Sequence, residues 1–110
     1  MKKHFAILLV GLLVSTSTVA ETITTLGDHS CSTWIRNREA KGSGEIADLA
    51  WLNGFLTGFS FGLNKNILAD TDSETASLWM DDYCKSHHLE DISLPGSLLA
   101  NELMKRKGIQ

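Results

Sequence analysis

The chain has 110 residues, of which 43% are hydrophobic and 21% are charged. This composition is typical of a globular protein and excludes the disordered, collagenous and low-complexity classes. The 13 acidic residues outnumber the 10 basic ones, which argues against a nucleic-acid-binding protein with a basic face. The length allows one domain at most.

Residues 1–20 have the order of a secretory signal peptide. A basic start precedes the apolar run 5–14, and small residues follow up to Ala20. A membrane anchor needs about 20 apolar residues, so we expect cleavage between Ala20 and Glu21, a periplasmic protein and no stable membrane anchor. The alternative is an uncleaved amphipathic anchor. The mature domain 21–110 would carry eight basic against 13 acidic residues, a formal charge of −5.

Cys31 and Cys84 are the only cysteines, and both follow the predicted signal peptide. In an oxidising compartment such a pair most simply forms a disulfide. Their separation matches no zinc-binding spacing, and the chain contains no CxxC motif. We therefore predict a structural disulfide, which the chain-entropy model values at about 4 kcal/mol.

Hydrophobic periodicity predicts four helices and no strand. The first begins after Asp28 or Ser30, both good N-caps, and ends at the glycine-containing break 41–44. The second runs over 45–64, with Ser43 as its cap.

The second helix carries a row of glycines beside its apolar stripe. Gly54, Gly58 and Gly62 follow one another in steps of four. A glycine inside a helix costs up to about 1 kcal/mol relative to alanine, so we expect a helix or a bulky ring to pack closely on this ridge. Membrane-helix dimers use the same spacing, but polar residues interrupt the apolar run here. We therefore interpret this segment as the central core helix.

The third helix starts with a capping box at 71–74 and continues at helical spacing to His87. The fourth starts near Asp91 or Ser93 and ends at the basic run 105–107. The predicted disulfide would join the third helix to the start of the first. The sequence therefore predicts a small all-α domain of four helices with one disulfide.

The polar clusters of the mature chain are not typical of a catalytic site. His87 and His88 are neighbours, and neighbouring side chains on a helix point about 100° apart, so the two rarely bind one metal ion. We interpret them as a cationic helix end, with a pH-sensing role left open. Asp81 and Asp82 are interpreted as a solvated acidic face. No nucleophile, metal or phosphate motif is found, so we predict a non-enzymatic protein without a metal or cofactor.

The tryptophans Trp34, Trp51 and Trp79 lie on three different predicted helices. Each could anchor the core, since tryptophan buries a large apolar area. One of them could instead lie at a protein-binding hot spot. Trp51 is the best candidate for that role because it falls outside the apolar stripe, although it could equally cover the glycine ridge.

Three short motifs resemble a known family. They are Cys31-x-x-Trp34, the segment 51–58 (WLNGFLTG) and the segment 79–84 (WMDDYC), followed by a leucine-bearing last helix. In this order they look like the small secreted proteins of the Rap/Tai immunity group, within a wider class that includes the acid chaperones HdeA and HdeB. The chain differs from the Rap/Tai pattern in having a single cysteine pair, and in having His88 near the position of a family proline.

The resemblance implies two functions and a fold like that of HdeA. An immunity protein would bind and block a cell-wall-degrading toxin. An acid chaperone would loosen at low pH and bind unfolded clients. A structural component of an envelope complex is a third alternative. The expected partner is thus a protein, not a nucleic acid, and a homodimer is one further alternative.

Overall fold

A computed structural model describes residues 10–15 and 21–109 of the chain. This part contains four α-helices and no β-strand, which confirms the predicted all-α fold. The helices are α1 (Cys31–Ala40), α2 (Ser43–Leu63), α3 (Ser73–Lys85) and α4 (Ser93–Arg106). Most of the predicted signal peptide, including Ala20 at the predicted cleavage point, lies outside the described residues. None of the described helices is long and apolar enough to cross a membrane.

Side-chain caps begin α1 and α3. Ser30 is the cap of α1, as predicted, and its hydroxyl oxygen accepts the amide N–H of Thr33. Asp72 is the cap of α3, and its carboxylate accepts the amide of Thr75 at 2.7 Å. This backbone hydrogen bond also lowers the pKa of Asp72. The predicted capping box is therefore wrong by one residue, because aspartate is a better N-cap than the threonine before it.

Asp28, the other predicted cap of α1, in fact binds the start of α4. Its carboxylate accepts both the amide (3.1 Å) and the hydroxyl (2.6 Å) of Ser93. Beside this contact, the amide of Ile92 donates to the carbonyl of His29 at 2.9 Å. The segments that precede α1 and α4 are thus joined through main chain and side chain.

The predicted disulfide between Cys31 and Cys84 is present and fully buried. It joins the first residue of α1 to the C-terminal end of α3. The core around it draws on all four helices and on the segments before α3 and α4. Its largest buried side chains are Trp34, Leu52, Leu56, Ile67, Met80, Ile92 and Pro95.

The predicted packing on the glycine ridge of α2 is wrong for the described residues. A Cβ built at Gly54, Gly58 or Gly62 would meet no heavy atom within 4 Å, and all three glycines are exposed. The close approach to α2 occurs instead at Gly96 of α4, where a Cβ would lie 2.9 Å from Cε1 of Phe55. Helix α2 is therefore packed on one side and open on the other.

Candidate functional site

The open side of α2 is a long surface without charge. Its two large apolar side chains, Ile46 and Phe61, are 71% and 83% exposed. We term "outer face" the nine exposed residues Ile46, Ala47, Ala50, Asn53, Gly54, Thr57, Gly58, Phe61 and Gly62. At a rise of 1.5 Å per residue, this face extends for about 24 Å along the helix.

The segment before α1 lies beside the outer face and is held there by Trp51. The indole N–H of Trp51 donates to the carbonyl of Leu26 at 2.8 Å. Gly27 has φ +75°, and a Cβ at that position would lie 2.9 Å from Cδ1 of Trp51. Glycine fits here because it accepts a positive φ and has no side chain to clash with the ring. We term residues 21–27 the N-terminal arm.

An open cavity of about 470 Å³ lies between the N-terminal arm and α2. None of its lining residues is charged; they are Ile23, Thr24, Thr25, Leu26, Ala50, Trp51, Gly54 and Phe55. Trp51 stacks on Phe55 with ring centroids 4.7 Å apart, and Phe55 contacts the edge of Phe59. The structure thus places Trp51, the predicted partner contact, on the wall of an uncharged cavity. Its part in binding stays a prediction.

A polar cluster between α1 and α3 is centred on Asp81. The guanidinium group of Arg38 donates from Nε and Nη2 to this carboxylate at 2.8–3.1 Å, and the indole N–H of Trp34 donates to it at 2.8 Å. The hydrogen bonds from Arg38 to Asp81 are the main cause of a raised pKa at Arg38. The prediction that Asp81 lies on a solvated face is therefore wrong, whereas its neighbour Asp82 is exposed.

The Asp81 cluster forms one wall of an open groove of about 580 Å³. Cations and anions line it in equal number, together with one apolar side chain. The lining residues are Ile35, Arg38, Glu39, Lys41, Glu45, Asp81 and Lys85. Arg38 also donates to Glu45 at 3.3 Å, so the central guanidinium already joins α1 to both α2 and α3. This arrangement serves the packing of three helices.

A second polar cluster surrounds the buried side chain of Asp48, which is 5% exposed. Its carboxylate contacts Nε2 of His29 at 2.5 Å and accepts from Nδ2 of Asn37 at 2.9 Å. Asp48 thereby connects α2 to α1 and to the segment before α1. Sequence reasoning missed this cluster, since its members lie 11 and 19 positions apart from Asp48 and share no motif.

The two neighbouring histidines have different surroundings. His87 stacks on Tyr83 at a centroid distance of 3.9 Å, and Trp79 stacks on the same tyrosine ring at 5.8 Å. Nδ1 of His87 donates to the carbonyl of Tyr83, whereas Nε2 of His88 donates to the carbonyl of Lys85. Among the described residues, no group of three potential ligands is arranged to hold a metal ion.

Tyr83 is also tied to the loop that precedes α4. Its hydroxyl donates to the carboxylate of Glu90. This hydrogen bond is the main cause of a raised pKa at Tyr83, because the bond is lost when the phenol ionises. The aromatic stack and this hydrogen bond therefore hold the C-terminal end of α3 against the loop that precedes α4.

The chain matches no protein-family model, no curated protein and no solved structure at a significant level. The resemblance to the Rap/Tai and HdeA-like proteins therefore depends on the sequence motifs alone. The geometry leaves the cavity at Trp51 and the adjoining outer face of α2 as the candidate site.

Proposed function

We propose that this protein is a non-enzymatic periplasmic binding protein that neutralises a cell-wall-degrading toxin. The observation that carries the proposal is the open, uncharged cavity at Trp51, which residues 10–15 and 21–109 leave unfilled. Such a cavity, walled by stacked aromatic rings, suits an apolar side chain of a partner protein. Aromatic side chains in desolvated pockets contribute most of the binding energy in many protein interfaces.

The surroundings of the cavity favour a rigid binder. The Trp51 ring is held on one side by Phe55 and at its edge by the hydrogen bond to Leu26. Binding then costs little side-chain entropy, since the ring is already ordered. The expected mature charge of −5 would speed association with a cationic enzyme cleft.

The polar clusters support a binding role over catalysis. The carboxylate of Asp81 is occupied by Arg38 and Trp34, and that of Asp48 by His29 and Asn37. These hydrogen bonds join α1 to α3 and to α2, so both clusters contribute to helix packing.

The test is inhibition of purified cell-wall amidases and glycosidases, followed by the clearing of a peptidoglycan suspension. We expect stoichiometric inhibition of at least one enzyme. The variant Thr24→Glu places a charge on the cavity wall and should weaken that inhibition at least tenfold. Asn101→Glu, at an exposed position of α4 away from the cavity, should not change it. Inhibition that survives Thr24→Glu would contradict the cavity as the contact.

An acid chaperone is the second candidate, favoured by a different observation. Ile23 and Leu26 of the N-terminal arm and Phe61 of the outer face are exposed apolar side chains. At about pH 2–3 an acid chaperone would loosen and expose apolar surface to its clients, while the disulfide would still join α1 to α3.

The two candidates differ in one measurement. The oxidised protein is brought to about pH 2–3 with an aggregation-prone periplasmic enzyme, and light scattering and near-UV circular dichroism are followed. Suppressed scattering with loss of the near-UV signal would favour the chaperone. An intact near-UV signal without protection would favour the toxin inhibitor.

A further inference from the structure

We propose that the C-terminal end of α2 holds a binding site for one neutral pyranose unit of a glycan. The site is an open cavity of about 280 Å³. Its lining residues are Ser60, Phe61, Asn64, Lys65 and Asn66. None of them lines the cavity at Trp51, which lies about 15 Å away along the helix. The proposal therefore goes beyond toxin neutralisation and does not depend on it.

The chain forms this cavity by turning back on itself where α2 ends. Asn64 has φ 52° and ψ 44°, a left-handed conformation in which asparagine often ends a helix. The amide of Lys65 then donates to the carbonyl of Ser60 at 3.1 Å, which brings the residues after the helix beside its last turn. Ile67 is fully buried and anchors this segment in the core. The cavity thus lies on a fixed backbone.

Phe61 gives the cavity an aromatic wall. It is 83% exposed, although it is one of the largest apolar residues of the chain. The face of a phenyl ring carries partial negative charge and attracts weakly positive C–H groups. A pyranose ring presents C–H groups on its faces and hydroxyl groups around its edge. A sugar stacked on Phe61 would therefore cover apolar surface and keep its hydroxyls beside polar neighbours.

The polar side chains around Phe61 are available to those hydroxyls. The side chains of Asn64, Lys65 and Asn66 are exposed and form no hydrogen bond with the described residues. An asparagine amide both donates and accepts, which matches a sugar hydroxyl. Oγ of Ser60 is buried and also lacks a hydrogen-bond partner among the described residues. Unpaired buried hydroxyls are uncommon in folded proteins, so this one marks the cavity wall as a place for a ligand group.

The charges at the cavity favour a neutral ligand over an anion. Lys65 is the only charged residue among the described residues that line it. The C-terminal end of a helix carries about half a negative charge, which partly offsets the ammonium group of Lys65. Lys65 is also exposed, so salt screens its attraction for a phosphate or a carboxylate. A neutral ligand rich in hydroxyl groups fits this balance.

The size of the cavity predicts weak binding. Ligand pockets usually measure about 300–1,000 Å³, so this one lies near the lower limit and suits a single sugar unit. We expect a dissociation constant on the order of 1 mM. Two sources share the chemistry of a neutral pyranose, namely glycans of acetamido sugars and plain glucans.

The first test is an NMR titration of the oxidised, exported protein with chitotetraose and with cellotetraose. These neutral tetrasaccharides share one linkage and differ in carrying an acetamido or a hydroxyl group on each ring, so the tighter one identifies the source. We expect at least one of them to shift backbone amide signals, with the largest changes within residues 60–66. Shifts centred on the indole N–H of Trp51 would overturn the proposal. So would the absence of shifts with both sugars up to about 10 mM.

Substitutions of Phe61 test the stacking. Phe61→Ala should weaken sugar binding at least tenfold, whereas Phe61→Trp keeps an aromatic face and should preserve it. Ile46→Ala is the matched control, because it removes an exposed apolar side chain near the other end of α2 and should leave binding unchanged. Phe61→Ala should unfold at the same temperature as the unmodified chain, since the ring is exposed. Unchanged binding of Phe61→Ala, or equal losses in Phe61→Ala and Ile46→Ala, would refute the site.

The third test concerns the charge of the ligand. Lys65→Gln removes the ammonium group and keeps a hydrogen-bond donor, so it should retain most of the affinity for the neutral sugar. Raising sodium chloride from about 50 to 500 mM should likewise leave the dissociation constant unchanged. Binding lost in Lys65→Gln or at high salt would overturn the assignment of a neutral ligand.

Discussion

The two sides of α2 differ in how much of their surface the rest of the described chain covers. On the inner side, Leu52 and Leu56 are buried, and the carboxylate of Asp48 has two hydrogen-bonding partners. On the outer face, Ile46 and Phe61 are more than two-thirds exposed. The buried contacts of this domain therefore lie on the inner side of α2 and where the disulfide joins α1 to α3. The outer face is left exposed by the part of the chain that the structure describes.

The largest effect is expected from the disulfide at the α1–α3 contact. Replacing Cys31 and Cys84 together with alanine should lower the free energy of unfolding by about 4 kcal/mol, because the unfolded chain is no longer restricted by the cross-link. Urea unfolding of the two proteins measures this difference. A loss below about 1 kcal/mol would show that the inner packing holds α1 and α3 together without the bond.

The next effect concerns the Asp81 cluster. Asp81→Asn should lower the free energy of unfolding by about 2 kcal/mol, since it removes the charge that pairs with Arg38 and keeps the side-chain shape. Asp82→Asn, at the exposed neighbouring position, is the matched control and should change it by less than about 0.5 kcal/mol. Equal effects of the two substitutions in urea unfolding would contradict the structural role of Asp81.

Two glycine substitutions compare the open and the packed side of α2. Gly58 lies on its outer face, and Gly96 of α4 packs against Phe55 of α2. Gly58→Ala should raise the free energy of unfolding by about 0.5–1 kcal/mol, because alanine is the better helix former and none of the described residues outside α2 would contact its Cβ. Gly96→Ala should lower it by about 1 kcal/mol, because its Cβ would overlap the Phe55 ring. Thermal unfolding gives both signs. The comparison fails if the two variants shift stability in the same direction.

The smallest effect is the titration of Tyr83, the only tyrosine of the chain. The hydrogen bond to Glu90 should raise its pKa above the usual 10.0, and Glu90→Gln should bring the pKa back towards that value. The stability from this bond is present below pH 10.0 and is lost as the pH rises through the folded-state pKa. Ultraviolet absorbance of the phenolate measures the pKa. Identical titrations of the two proteins would exclude the bond in solution.

Local sequence patterns predicted most of the fold. The first helix starts directly after Ser30, as predicted. The predicted break at 41–44 is shorter in the structure, because α2 already begins at Ser43 and its cap is Gly42, so the prediction of Ser43 as the cap is wrong. The chain has two cysteines, so Cys31–Cys84 is the one disulfide that it can form within itself. Helix caps, breaks and apolar periodicity depend on neighbours within a few positions, so they can be read along the chain.

The candidate site was only partly predictable. Trp51 was singled out because it falls outside the apolar stripe, and it does line the cavity. The glycines of α2 were predicted to be packed but are exposed, while the glycine in contact with a ring is Gly96. A step of four places residues on one helix face, but it does not say whether a neighbour covers that face.

The sequence by itself therefore determined the number, order and approximate bounds of the helices, and the disulfide. The tertiary structure decided which carboxylates are structural, since Asp28, Asp48 and Asp81 find partners from 11 to 65 positions away. It also decided which side of α2 is open. The physical reason is that local preferences set backbone conformation, whereas burial and ion pairing depend on segments that meet only after the chain has folded.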